Sequence, residues 1–290
     1  MRKFKIAAIF ILVLFLSGFS HASQQISETV KINSGLIKGT TEKGIKVFRG
    51  IPYAAPPTGS LRWKAPLPQA NWDGIKLCTE FGPSCPQLHP GKDQIYSEDC
   101  LYLNVWTPAV KTDKKLPVMV WIHCGGFNYG SASMPELNGL NLSRKGVVVV
   151  TINYRLGPLG FLVHPLLSRE SPNGVSGNYG LLDQIAALKW VKANIAAFGG
   201  NPDNVTIFGQ SAGSRSVTLQ MISPLSEKLF HRAIAQSGGP IIGSEYLNPS
   251  FNGSYKQVSE MGKTLASKLE CDREKDVLSA MRAKSADEII

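Results

Sequence analysis

The chain has 290 residues, 43% hydrophobic and 18% charged, which supports one large α/β domain with a substantial core and excludes a disordered or low-complexity chain. Its formal net charge is +10, of which Arg2, Lys3 and Lys5 supply three. The remaining basic residues are scattered and not interleaved with aromatics, a pattern of a mildly cationic surface and not of a nucleic-acid binder.

The first segment does not read as part of the core. A basic start is followed by the apolar run IAAIFILVLFLSGF and then Ser20-His21-Ala22, with small residues at the two positions a signal peptidase reads. This pattern predicts a secretory signal peptide over residues 1–22, hence an exported (periplasmic or secreted) protein of residues 23–290 without a stable membrane anchor. The competing reading of the same run is an N-terminal anchor. No other apolar stretch is long enough to span a bilayer.

Next, residues 28–54 alternate apolar and polar side chains between glycines, the pattern of antiparallel strands near one edge of a sheet. A proline-rich loop, APPTGSLRWKAPLP, follows. The runs LYLNVW, LPVMVWIH and VVVVTINY are almost continuously apolar, as strands buried on both faces are, and the first is expected to pair with the second across residues 108–117. Helical spacing of Leu181, Leu182, Ile185, Leu188, Trp190, Val191 and Ile195 ends at Gly199-Gly200. NVTIFG then reads as a strand, AGSRSVTLQMIS as a helix, RAIAQSG as a strand, and residues 255–271 as an amphipathic helix. Strand–helix alternation of this kind predicts a mostly parallel, doubly wound sheet. Ser285 and Glu288 form a capping box that announces a helix one turn before the last residue, Ile290.

Five cysteines, Cys78, Cys85, Cys100, Cys124 and Cys271, leave at least one thiol unpaired. Cys85 and Cys100 enclose 14 residues, a loop whose closure by a disulfide would stabilise the fold by roughly 3 kcal/mol. Neither CxxC nor HxxxH spacing occurs, and the sequence calls for no metal and no cofactor.

Two motifs carry chemistry. Gly209-Gln210-Ser211-Ala212-Gly213 matches G-x-S-x-G between a strand and a helix, the context in which a serine hydroxyl is presented as a nucleophile above a sheet edge. Upstream, His123-Cys124-Gly125-Gly126-Phe127 directly follows a buried strand; glycine N–H groups there can approach the oxyanion of a tetrahedral intermediate. The candidate donors are the N–H groups of Gly125, Gly126 and Ala212. Trp63, Phe127 and Phe161 read as core residues before pocket walls.

Long ordered stretches, among them FRGIPYAAPPTGSLRW, SEDCLYLNVW, TINYRLGPLGF and FGGNPDNVTIFGQSAGS, resemble the type-B carboxylesterase (carboxylesterase/cholinesterase) family. The resemblance implies an α/β-hydrolase fold and hydrolysis of small-molecule carboxylic esters through a serine acyl-enzyme on Ser211. It further implies that Gly125, Gly126 and Ala212 line the oxyanion hole, that Cys85 pairs with Cys100, and that Arg155 and Asp183 form a buried ion pair. It covers the chain after the leader but only the first half of a family member, with later sheet strands and helices missing. Cys78 has no evident partner and Cys271 is expected to be free.

Two positions depart from the family pattern. Cys124 stands where a third glycine is usual and would strain the loop if the backbone there needs a positive φ. Gln210 stands where a glutamate usually precedes the nucleophile; a neutral amide cannot support an imidazolium as a carboxylate does. In this fold the triad's acid and histidine follow the serine in the chain. Only His231 follows Ser211, opening the next strand at the wrong end; His123 resembles a backbone position, His89 falls in the disulfide loop, and His164 lies in a proline-containing surface stretch. The expectation is therefore that acid and base of the triad are none of these residues and that the chain is a truncated copy with weak or no activity. A non-catalytic esterase-like binding module and a decayed gene product are the alternatives, and the oligomeric state is not legible.

Overall fold

The computed structural model describes residues 25–88, 95–238 and 255–290. The alternating N-terminal segment forms β1 (Gln25–Ile32), β2 (Gly35–Glu42) and β3 (Ile45–Pro52), an antiparallel meander, with short β4 (Ile75–Leu77) parallel to β2. The apolar runs form β5 (Tyr102–Thr107), β6 (Leu116–Ile122) and β7 (Val148–Ile152), followed by β8 (Gly200–Gln210) and β9 (Arg232–Gln236). Strand order is β1-β2-β3-β5-β7-β6-β8-β9. From β7 to β9 every pairing is parallel, whereas β5 runs antiparallel to both its neighbours.

The expected pairing of β5 with β6 is therefore incorrect. Residues 108–115 carry the chain past one intervening strand, and β7 takes the place between them. Adjacent strands lie about 4.8 Å apart, so a connection of this length easily makes that step. All five β7 residues are buried, as a position in the middle of a two-sided sheet demands.

Among the described residues the helices are α1 (Leu140–Ser143), α2 (Gly157–Phe161), α3 (Pro165–Glu170), α4 (Tyr179–Asn194), α5 (Ala212–Ile222), α6 (Tyr255–Lys268), α7 (Val277–Ala283) and α8 (Ala286–Ile289). Helix α4 ends through one 3₁₀ turn at Gly199, whose φ of 74° is the left-handed value glycine accepts without penalty. A buried amide–hydroxyl chain ties α4 to α5: Gln184 Nε2 donates to Ser216 Oγ at 3.0 Å and Gln220 Nε2 to Gln184 Oε1 at 3.1 Å.

The Arg155–Asp183 pair is present and buried. Asp183 accepts from Arg155 N, Nε and Nη2 at 3.1, 2.8 and 2.7 Å, fastening α4 to the segment that leaves β7. A second small core joins Trp63, Leu159, Leu167, Met281 and Ile289. Its edge is held by Arg62, which forks onto the Glu98 carboxylate and donates to the Lys284 carbonyl at 2.6 Å. The capping box at Ser285 forms, and Ile289 is buried rather than frayed.

His164 does not lie at the surface. It caps α3, its Nδ1 accepting from Leu166 N at 3.2 Å, and the backbone of α6 at Gly262 packs against Val163 and His164. The sequence shows the prolines around it but not the helix that covers it.

Cys85 and Cys100 are disulfide-bonded, as the resemblance implies. Cys78 and Cys271 are buried free thiols, and burial pushes the Cys78 pKa up to about 12, which leaves it unreactive. No helix among the described residues is long and apolar enough to cross a membrane; the leader at 1–22 and His89 fall outside them.

Candidate active site

Parallel strands β6 and β8 lie side by side with Ile122 opposite Gly209. The chain leaving β6 goes to β7 on one side, and the chain leaving β8 goes to β9 on the other. Two neighbouring strands whose exits diverge leave a crevice at their carboxyl ends, where ligands bind in open α/β sheets. The glycine loop and Ser211 both stand at this switch point.

Ser211 sits between β8 and α5 with φ 55° and ψ −117°. A non-glycine residue there bears about 1–3 kcal/mol of strain, sustained only when its surroundings fix it. Two backbone bonds do so: Ser211 N donates to Gln236 O at 2.9 Å, and Arg215 N donates to Ser211 O at 3.0 Å. The flanking glycines follow from close approach. A Cβ on Gly213 would lie 2.1 Å from the Ile122 carbonyl oxygen and 2.9 Å from that of His123; one on Gly209 would lie 2.7 Å from the same Ile122 oxygen. Helix α5 thus starts in backbone contact with the end of β6, which brings the glycine loop beside the serine.

Within that loop Gly125 has φ 112°, and a Cβ there would stand 1.9 Å from the Tyr129 carbonyl oxygen. Its own carbonyl accepts from Asn128 N at 2.9 Å and Tyr129 N at 3.1 Å, so the loop is a closed turn. Among the described residues the N–H groups of Gly125, Gly126 and Ala212 donate to no protein acceptor, the condition for donors kept for a ligand. Cys124 is not in the left-handed region, so the cysteine does not strain the loop as the sequence suggested.

His123 supports the turn from beneath. Its ring stacks on Tyr154 with centroids 4.3 Å apart, Tyr154 Oη donates to the His123 carbonyl at 2.9 Å, and Nδ1 lies 2.7 Å from the Cys124 carbonyl oxygen. A carbonyl can only accept, so Nδ1 carries the proton. Burial depresses the His123 pKa to about 4. With the folded value below the unfolded one near 6.5, His123 contributes stability that is complete above about pH 6.5 and lost as pH falls toward 4. Urea titrations at descending pH are expected to show that loss, and His123→Phe to flatten the part due to this residue.

Gln87, which nothing in the sequence singles out, clamps the far end of the loop. Its side chain accepts from Gly130 N at 2.8 Å and donates to Gly130 O at 3.2 Å, linking the disulfide segment to the glycine turn. Gln210 lies half-buried at the end of β8 opposite Gln236 and brings no charge to the serine. His231 is exposed at the other end of β9, its Nδ1 accepting from Val205 N at 3.2 Å. No described histidine hydrogen-bonds Ser211: His123 and His164 are committed to the backbone contacts above, and His231 is a sheet length away.

A cleft of about 570 Å³ opens next to the glycine loop, walled by Phe127, Phe161, Leu181, Leu219, Met261 and neighbouring apolar residues. Phe127 and Phe161, read from sequence as core, are only partly buried and line it; Trp63 is core, 2% exposed.

The sheet order, the switch-point crevice and the strand–serine–helix turn define an α/β-hydrolase. Solved structures of that class agree: a Geobacillus stearothermophilus carboxylesterase superposes with a TM-score of 0.79 at 40% identity, covering 91% of this chain and 52% of that one. The carboxylesterase family model matches residues 26–290, and the chain belongs to that family. Curated relatives include the fumonisin B1 esterase of Sphingopyxis macrogoltabida, 53% identical over 71% of this chain and 39% of its own length. The para-nitrobenzyl esterase of Bacillus subtilis is 44% identical over 87% and 52%, and the cholinesterase of Mus musculus 40% identical over 94% and 46%. The chain thus spans about half or less of the length of these relatives.

Proposed function

We propose that the protein is an exported serine carboxylesterase in which Ser211 attacks the ester carbonyl and carries the acyl group. The N–H groups of Gly125, Gly126 and Ala212 receive the oxyanion, and Gln210 flanks the nucleophile without charge. The observation that carries the reading is the strained Ser211 backbone, fixed beside a closed glycine turn whose N–H groups bond to nothing else described. Strain of this kind persists where it serves a function. The 1–22 leader and the Cys85–Cys100 disulfide support export.

A serine hydroxyl needs a general base, and no described histidine reaches it. In this reading the described residues supply the nucleophile and the oxyanion donors without a base, and ester turnover is weak. The non-catalytic reading has the same missing base in its favour, but it gives no reason to keep a strained serine beside unengaged N–H groups. Treatment with a fluorophosphonate, with and without added imidazole as an external base, separates the two. The expected result is a Ser211 adduct in the tryptic peptide map that forms faster with imidazole and is absent in Ser211→Ala. Labelling of other serines at the same rate would overturn the assignment.

A further inference from the structure

Phe127 adopts φ 63°, a left-handed value that is costly for a bulky side chain and that persists only where the surroundings fix it. Its carbonyl accepts from Gly157 N at 2.7 Å, which holds the turn. The turn directly follows Gly126 and sets the Phe127 ring in the wall of the 570 Å³ cleft, 5.1 Å from the Phe161 ring and tilted 56° to it. An aromatic wall thus begins one residue beyond a proposed oxyanion donor.

Helix α6 supplies a further side of the same cleft. Val258, Met261 and Leu265 line it at helical spacing, while Ser259, Gly262 and Ala266 on the adjoining face are buried. Gly262 is what lets the helix come this close. A Cβ there would lie 1.9 Å from the Val163 carbonyl oxygen, and Val163 itself lines the cleft. At the helix start, the Tyr255 hydroxyl bonds Ser168 Oγ of α3. The distance between α6 and the Val163 segment, and with it the width of the cleft, is therefore set by one backbone contact and one side-chain tether.

No charged side chain is among the described residues that line the cleft, and Asn128, one of its few polar ones, spends its Nδ2 on Gly126 O at 3.0 Å. Its volume falls in the range of about 300–1,000 Å³ of small-molecule pockets. Such a lining buries an uncharged ring and offers it tilted contacts with two others, whereas a charged group would be desolvated without a partner. We propose that this cleft holds an uncharged aromatic group of the ester, and that Gly262, by seating α6 against Val163, determines how large that group can be. The inference deepens the reading of Ser211 as nucleophile by naming the substrate class, but its test does not need turnover.

The probes are three amides that resist hydrolysis: N-ethylpropanamide and two isomers that add a phenyl ring to it. N-Ethyl-3-phenylpropanamide carries the ring on the acyl side of the carbonyl and N-(2-phenylethyl)propanamide on the other side, and binding to the full chain is measured by calorimetry. At least one ring compound is expected to bind about tenfold or more tightly than N-ethylpropanamide, the scale of burying one aromatic side chain. The tighter isomer identifies the side of the ester that enters the cleft. Gly262→Ala is expected to remove most of the preference. Alanine favours a helix more than glycine does, so the change acts on the seat of α6 and not on its helicity. Met261→Glu, at a position 62% exposed, places a carboxylate in the lining without touching the core and is expected to do the same. It carries the test alone if the alanine variant does not fold. Leu77→Glu, 64% exposed on β4 and outside the cleft lining, is expected to leave the preference intact. A preference that is missing from the wild type, survives Met261→Glu, or falls equally in Leu77→Glu overturns the inference. If Ser211 escapes the fluorophosphonate while the ring preference holds, the catalytic reading fails and the aromatic pocket stands.

Discussion

Asp183→Ala is expected to lower stability by about 3–5 kcal/mol, the scale of breaking one side of a buried ion pair. Asp183 is fully buried and Arg155 nearly so, and the carboxylate receives three N–H bonds from that one residue. Removing it strands a guanidinium whose Nη1 has no hydrogen-bond partner among the described residues, leaving it the Tyr179 ring 5.5 Å from Cζ. The cost lies in the uncompensated charge and not in the intrinsic worth of the pair. The double change Arg155→Met with Asp183→Leu should therefore recover most of the loss. Urea unfolding checks both: the midpoint falls in the single variant with an unchanged slope and returns toward wild type in the double. A single variant within about 1 kcal/mol of wild type would show that the pair is not what anchors α4.

The second large effect concerns catalysis. Removal of the general base from a serine hydrolase costs on the order of 10⁶ in turnover, because an unassisted hydroxyl is a poor nucleophile. Oxyanion donors and binding sustain a residual rate roughly 10³–10⁴ above water even then. In the proposed reading those donors are the N–H groups of Gly125, Gly126 and Ala212, which bond to no described acceptor. The geometry thus predicts activity that is weak, and weak for a stated reason.

Much of this site was legible before any coordinates. The G-x-S-x-G and glycine-loop residues are small because backbones approach closely there, and a Cβ on Gly213 or Gly125 would fall 2.1 or 1.9 Å from a carbonyl oxygen. Such a constraint leaves its mark directly in residue identity. The order of β5, β6 and β7 was not legible, since three equally apolar strands carry no pattern that says which lies between which. His164 was misplaced because its burial comes from a helix about a hundred residues later in the chain. The glycine usual in the family at position 124 does not say whether a positive φ is needed there, and Cys124 adopts none. Gln87 acts through a contact to Gly130 that no local signal encodes.

Ser211 is proposed as a nucleophile that no described histidine serves as base. The most direct test is steady-state hydrolysis of a nitrophenyl butyrate ester by the purified chain, compared with Ser211→Ala under the same conditions and without imidazole. Because no described histidine bonds Ser211, the prediction is a slow rate that Ser211→Ala reduces little, as expected when members of a catalytic unit act together. Fast turnover that disappears in Ser211→Ala would contradict the account, since it would require a base already in place beside Ser211.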